Sequence, residues 1–285
     1  MARQPLCEVF GYPIDNVSPE AAKVRTARVC PFSDGSSPCR KDKVRSPLGV
    51  CSVYGSGQVA ITCPSRFKQN SIIVRDAASF FFGPQAQYAC LREVKLRDKN
   101  GKCKGNIDMV LVSFDAQGEI RDFGALEIQG VYISGNIRMP FEHYMGNPQA
   151  RTAMDWSKEP NYPKPDYLSS SRKRLAPQLL VKGGIFKAWA KRIAVAIDKS
   201  FFSTLPTLEK VDPASADIAW LVYDLKLDSE KKIYTLVNHE TVYTRFSESM
   251  ERIYSLELGD VSDFVKELKK KMGNSLAAHF SPKRD

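Results

Sequence analysis

The stretch Gly105-Asn106-Ile107-Asp108-Met109-Val110-Leu111-Val112-Ser113-Phe114-Asp115, with Ile120-Arg121-Asp122-Phe123-Gly124-Ala125-Leu126-Glu127-Ile128-Gln129-Gly130-Val131-Tyr132-Ile133 just after it, decides the fold. Both runs are short and rich in β-branched and apolar residues. Asp115-Ala116-Gln117-Gly118 between them supplies a turn. Two strands in a hairpin-like unit follow from that pattern. Side chains alternate faces along a strand, so Glu127 and Gln129 point the same way. Asp108 shares its face with Val110 and Val112, which read as buried positions. A carboxylate on such a face is costly unless it is paired or holds a metal. A lone Asp or Glu-x-Gln on a strand is commonplace. One carboxylate on each of two consecutive strands makes a hard oxygen site suited to Mg²⁺.

Outward from the hairpin, the chain reads as mixed α and β around a central sheet, without the regular alternation of a doubly wound fold. Residues 71–95 read as a strand followed by a helix that ends in the run Tyr88–Asp98. That places Phe80, Phe81 and Phe82 on a strand as buried packing, and Cys90 in the core on a helix. Residues 136–172 are proline-rich and read as loop with short helices. From about 175 to 201 the pattern is helical, with Phe186, Trp189, Ile193 and Ile197 as one apolar stripe. Strands follow near 217–227 and 232–238, then helices near 241–254 and 260–272.

Of the 285 residues, 43% are hydrophobic and 26% charged, the balance of a globular chain rather than a disordered one. The net charge is +10. Between residues 160 and 200 nine basic side chains (Lys164, Arg172, Lys173, Arg174, Lys182, Lys187, Lys191, Arg192 and Lys199) face only Asp166 and Asp198. Such a field attracts a phosphate backbone or an anionic surface; the plainer alternative is a solvated helix face. No apolar run approaches the roughly 20 residues of a membrane span, and the N-terminus lacks a secretory signal, so a cytoplasmic protein with reduced thiols is expected. No phosphate-binding Gly-rich loop with Gly-Lys-Ser/Thr occurs, so no nucleotide cofactor is expected. His143, His239 and His279 are too scattered to suggest a histidine metal centre.

Residues 28–66 are rich in Cys, Pro, Ser and Gly and poor in long apolar periods. Cys30, Cys39, Cys51 and Cys63 fall at separations of 9, 12 and 12. Four thiolates suit tetrahedral zinc or iron, although no Cys-x-x-Cys pair occurs and scattered core cysteines are the alternative. Residues 1–70 are therefore read as a metal-braced region, set apart from residues 71–285, which carry the carboxylate pair and which the resemblance given below makes the catalytic domain. Cys7 and Cys103 suggest no role. After the fourth cysteine come Arg66, Lys68, Gln69 and Asn70; Arg suits guanine edges, and Gln or Asn suits adenine. Ser134 to Tyr144, with Arg138 and His143, is a second DNA-facing candidate. For both segments the alternative is ordinary exposed loop.

The Asp…Glu-x-Gln layout on consecutive strands resembles the PD-(D/E)XK nuclease core. More closely, the chain resembles the NotI restriction endonuclease family, through Phe10–Pro13, Val29–Phe32, Gly49–Cys51, Thr62–Arg66 and Phe123–Gln129, over residues 7 to about 200. The resemblance implies a central mixed sheet flanked by helices, with an N-terminal metal-braced region. It implies Mg²⁺ held by Asp108, Glu127 and the Ile128 carbonyl, and iron held by the four cysteines, with zinc as the alternative. Glu93 would add a catalytic acid from a helix before the hairpin. Gln129 stands where most such nucleases carry Lys, and an amide can only orient water, so the general base stays open between solvent and a substrate phosphate oxygen. The implied activity is type II restriction: site-specific double-strand cuts in DNA, with 5′-phosphate and 3′-hydroxyl ends, by a homodimer on palindromic sites. A thiolate-metal DNA-binding regulator and a structure-specific repair nuclease are the rival functions.

Overall fold

A computed structural model describes residues 4–33, 37–43, 45–55, 57–255 and 259–279, with side chains to residue 273. The chain divides into two compact units, Met1–Ile253 and Tyr254–Asp285. In chain order the strands are β1 Leu6–Val9, β2 Tyr12–Pro13, β3 Asp42–Lys43, β4 Ser46–Pro47, β5 Val50–Gly55, β6 Gln58–Ile61, β7 Tyr88–Arg97, β8 Cys103–Phe114, β9 Ile120–Gln129, β10 Tyr132–Ser134, β11 Lys164–Asp166, β12 Ile193–Asp198, β13 Ile218–Asp228 and β14 Ile233–Thr244. The four-stranded sheet β2-β1-β5-β6 lies within the first 70 residues, and the six-stranded sheet β14-β13-β12-β9-β8-β7 lies beyond them. The large sheet is mixed: β12 runs parallel to both β9 and β13, while the pairs at either side are antiparallel. The expected mixed central sheet flanked by helices is therefore present, and the hairpin over residues 105–130 is its β8-β9 pair.

Both faces of the large sheet are covered, as the apolar content of its strands requires. Val110, Val112, Ala125, Val195, Ile197 and Trp220 pack with Leu175, Leu179 and Phe186 and with residues of the four-stranded sheet. Met109, Leu111, Leu126, Ala194, Ala196 and Leu221 pack on the other side against Ile73, Ala77, Phe80 and Phe81. The active-site candidates Asp108 and Glu127 share strand parity with the first set.

Several readings of local structure are corrected; among them, residues 241–244, expected at the start of a helix, are the end of β14, and the helix covers Phe246–Tyr254. Residues 71–97 hold a helix, Ile72–Phe82, and then β7, the reverse of the expected order. Phe80, Phe81 and Phe82 are helical, and Cys90 is on a strand. Spacing 73-77-80-81 puts the buried residues on one side of that helix. Its Phe81 ring lies so close to Gly124 of β9 that a Cβ there would come within 2.7 Å of it. Residues 175–201 are not one helix: an irregular helical stretch over 167–188 ends at Ala188, and β12 follows, so Ile193 and Ile197 belong to a strand. The stretch has wide i→i+5 turns at Ser171–Leu175 and Leu179–Gly183. Pro177, which lacks an N–H, lies between them and is a physical reason for loosened turns.

In the second unit the helix Val261–His279 extends the expected 260–272. No described helix is long and apolar enough to cross a membrane.

Candidate active site

The β8-β9 register pairs Met109 with Leu126 and Val110 with Ala125. One step further along that register, Asp108 lies opposite Glu127. Opposed residues of an antiparallel pair point to the same face, so the two carboxylates are neighbours. Asp108 is the exposed member and Glu127 the buried one. The backbone N–H of Ile128 donates to Asp108 Oδ2 at 2.9 Å, which fixes the aspartate's orientation.

Glu127 would be costly alone in this position. Its Oε2 accepts from Lys182 Nζ at 2.6 Å, with the two side chains 1% and 8% exposed. Its Oε1 is buried and has no partner among the described residues. Burial, and then the negative charge of Asp108, push the Glu127 carboxyl up to about 7, while Lys182 pulls the other way. A buried oxygen without a partner beside a second carboxylate is a donor set of the hard kind that fits Mg²⁺. Gln129 lies on the same face, and its Nε2 donates to Gln178 Oε1 at 2.7 Å. Gln178 and Lys182 both come from the 167–188 stretch, which therefore packs over Glu127 and Gln129 and leaves Asp108 exposed.

Glu93 behaves differently from the expectation. It sits on β7, not on a helix. The pairs Arg92–Met109 and Val94–Ile107 flank it, so by register it lies across from Asp108. Its φ of 53° departs from the strand conformation, and the residue lines the cavity of the four cysteines. Among the described residues no group of three or more His, Cys, Asp or Glu is gathered to hold a metal ion; Glu93 is thus not brought together with Asp108 and Glu127 in that way.

Lys182 was readable only as one charge in a basic run. A further signal was present: it is a lone lysine inside Leu179-Leu180-Val181-Lys182-Gly183-Gly184-Ile185-Phe186. A charge in such a run is either an accident of the surface or a buried partner, and the structure makes it the second.

The sequence profile of the family described as "Restriction endonuclease NotI" matches residues 8–236. The chain belongs to the NotI restriction endonuclease family. It is accordingly a type II restriction endonuclease, a site-specific deoxyribonuclease that binds DNA. The match runs through both sheets and ends within β14. No curated protein matched the chain.

In this NotI-family chain Cys30, Cys39, Cys51 and Cys63 line one cavity of about 480 Å³. Cys63 and Cys30 lie near enough to Cys39, and Cys63 to Cys51, that ionisation of one thiol would disfavour ionisation of its neighbour. Burial is the main cause raising the Cys39 and Cys51 thiols. Lys41 Nζ donates to the carbonyls of Val50 and Thr62, the residues before the third and fourth cysteines. The donor set suits a soft cation, but no three of the four sulfurs are gathered at one point. Cys7 is buried and its thiol is pushed up to about 12; Cys90 is half-buried and Cys103 exposed.

The expected DNA-facing residues separate. Arg66 is fully buried, paired with Glu8 at 3.1 Å, and donates to Gln69 Oε1 and the Tyr234 carbonyl. Its guanidinium also covers the Phe32 ring at 4.4 Å. A group so enclosed braces the fold and does not face a groove, which corrects the reading of Arg66. Gln69 Oε1 also accepts from Leu236 N at 2.6 Å, and Lys68 lines the cysteine cavity. Asn70 is exposed, with φ 53° at the kink before the Ile72–Phe82 helix. Arg138 pairs with Asp42 and Glu142. His143 is exposed, its ring 5.7 Å from that of Trp156. In the basic run Lys187, Lys191, Arg192 and Lys199 have partners within the chain. Arg172, Lys173 and Arg174 are exposed on the 167–188 stretch, with Arg174 over the Tyr132 ring at 4.6 Å.

Proposed function

We propose that this chain makes Mg²⁺-dependent double-strand cuts at specific DNA sites, leaving 5′-phosphate and 3′-hydroxyl ends. The observation that carries the reading is the Asp108–Glu127 pair, opposed on neighbouring strands, with one buried Glu127 oxygen unpartnered. Asp108, Glu127 and the Ile128 carbonyl would hold the metal. Mg²⁺, when bound, supplies Lewis acidity toward the phosphate and an acidified water. The chain's own residues do the positioning: Ile128 N–H holds Asp108, and Gln178 holds the Gln129 amide, which can orient a water but not take its proton. In the cut, a water oxygen bonds to phosphorus as the bond to the 3′ oxygen breaks. One water proton passes to solvent or a phosphate oxygen, and the departing 3′ oxygen takes up a proton from solvent to become the 3′-hydroxyl.

The exposed Arg172, Lys173 and Arg174 would meet the phosphate backbone, with Lys68, Gln69, Asn70, Arg138 and His143 as further DNA contacts. Glu93, apart from the pair, would act on a second cation or an ordered water. The reading also includes a homodimer, since a palindromic site calls for two-fold symmetry, and a cytoplasmic place of action. The four cysteines would hold one iron and brace residues 1–70.

Incubation of purified protein with plasmid and Mg²⁺, followed by sequencing of ends from a genomic digest, tests the activity. Discrete fragments with uniform 5′-phosphate ends are expected. A gel shift without cuts would point to a regulator, and cutting confined to forks or flaps to a repair nuclease. Elemental analysis is expected to give about one iron per chain, the single tetrahedral thiolate site that four ligands make. Zinc in its place would refute the metal and leave the site; no metal at all would refute the site.

A further inference from the structure

Two carboxylates on one face, approached by a phosphodiester, concentrate negative charge. As phosphorus is attacked, still more develops on the phosphate's nonbridging oxygens. One buried cation stands at this point: Lys182, whose ammonium touches Glu127 at 2.6 Å. No other hydrogen bond of this ammonium is described, so Glu127 is what holds it. Glu127 is also the residue whose second oxygen is left open. The lysine stem is four carbons long and flexible. It passes over Gly105 of β8, where a first side-chain carbon would lie 3.7 Å from Lys182 Cε; a larger residue there would crowd it.

We propose that Lys182 is a catalytic residue with two positions. Without metal, its ammonium takes the place of a cation on Glu127 and keeps the paired carboxylates from repelling each other. When a divalent cation takes the open Oε1 of Glu127, its charge repels the neighbouring ammonium, and Lys182 leaves Oε2 and turns to the nonbridging oxygens of the scissile phosphate, where it offsets the charge of the transition state. The proposal rests on the reading of Asp108 and Glu127 as the metal-holding pair. It assigns Lys182 a contact with substrate rather than the holding of Glu127 alone.

The two roles predict opposite effects on metal affinity. An ammonium that competes with the metal for Glu127 weakens metal binding, so its removal strengthens it. A lysine that merely positions Glu127 helps metal binding, so its removal weakens it. The full-length protein would be titrated with Ca²⁺ by calorimetry, without DNA, at pH 8.5, above the raised Glu127 value. Lys182→Met is expected to bind Ca²⁺ about tenfold more tightly than wild type. At saturating Mg²⁺ it is expected to cut at least about a hundredfold more slowly. Lys182→Gln keeps a donor for Glu127 and covers the case in which the Met variant fails to fold; the same pair of effects is expected of it. Weaker Ca²⁺ binding in the folded variant, or cutting near the wild-type rate, overturns the proposal. If wild type binds no Ca²⁺, or binds it unchanged in Asp108→Asn, the metal-pair reading itself fails and the proposal with it. If wild type binds through that pair and Lys182→Gln leaves the affinity unchanged, only the proposal for Lys182 fails.

Discussion

Asp108→Asn and Glu127→Gln are each expected to slow Mg²⁺-dependent cutting by about a thousandfold or more while leaving DNA binding intact. The figure corresponds to the loss of several kcal/mol of transition-state stabilisation when a metal is no longer held. Asp108→Asn changes almost no volume and keeps an oxygen for the Ile128 N–H, so the strand pair should stand. Glu127→Gln retains an acceptor for Lys182, whereas Glu127→Ala leaves that buried ammonium alone and must be checked for folding before its lost activity is read. DNA affinity without metal should hold or rise in both variants, because a negative charge near the phosphates has been removed. The same pair fixes a pH dependence. Glu127, pushed up to about 7 by burial and by Asp108, is protonated below that value and cannot take a cation. At limiting Mg²⁺ the cutting rate should therefore climb as pH rises toward about 7 and level off above it, and excess Mg²⁺ should move the rise to lower pH. Rates measured across pH at two Mg²⁺ concentrations check this. Cutting by Asp108→Asn at close to the wild-type rate would remove the site assignment.

How much of this could be read in the chain depends on whether local pattern and tertiary packing agree. They agree in β8 and β9, where a turn signal divides two runs whose alternate residues face opposite cores, and in β13 and the first half of β14, whose end reads in sequence as the start of a helix. They disagree over residues 71–97. Ile72-Ile73-Val74 and Phe80-Phe81-Phe82 favour strands by propensity, and Leu91-Arg92-Glu93-Val94-Lys95-Leu96 favours a helix. The fold uses the first as a helix because residues 73, 77, 80 and 81 form one face that fits against Gly124. It uses the second as a strand at the edge of the sheet, where charged side chains discourage further pairing. Propensity is a weak force beside burial of that size. Ile193–Asp198 shows a different limit: six wholly buried residues carry no period, and a strand and a buried helix look alike. The carboxylate pair was readable because strand parity and adjacency fix it. Lys182 was not, because 55 residues separate it from Glu127 and only the folded 167–188 stretch brings them together.

Arg66 shows how far a residue type can mislead when its surroundings are unknown, and it yields the largest expected effect on stability. Arg66→Met is expected to destabilise the protein by about 3–5 kcal/mol, the cost of breaking a buried ion pair from one side. The guanidinium links elements far apart in sequence: Glu8 of β1, Gln69, the Tyr234 carbonyl of β14 and the Phe32 ring. Without it, Glu8 keeps its bond from Ser52 Oγ at 2.7 Å and loses the charge that opposes burial. Burial already holds the Glu8 carboxyl above its ordinary range, with Arg66 as the largest counterweight. Glu8→Gln combined with Arg66→Met removes the stranded charge and should recover part of the loss, which urea unfolding of the two single variants and the double variant would measure. A base-reading arginine would behave otherwise. Its replacement would leave the unfolding midpoint alone and relax the cut sequence by the roughly 1–3 kcal/mol of one bidentate base contact. An unchanged midpoint with altered site preference would return Arg66 to the DNA interface; a lowered midpoint with the same site, cut by whatever remains folded, keeps it as the brace between the two sheets.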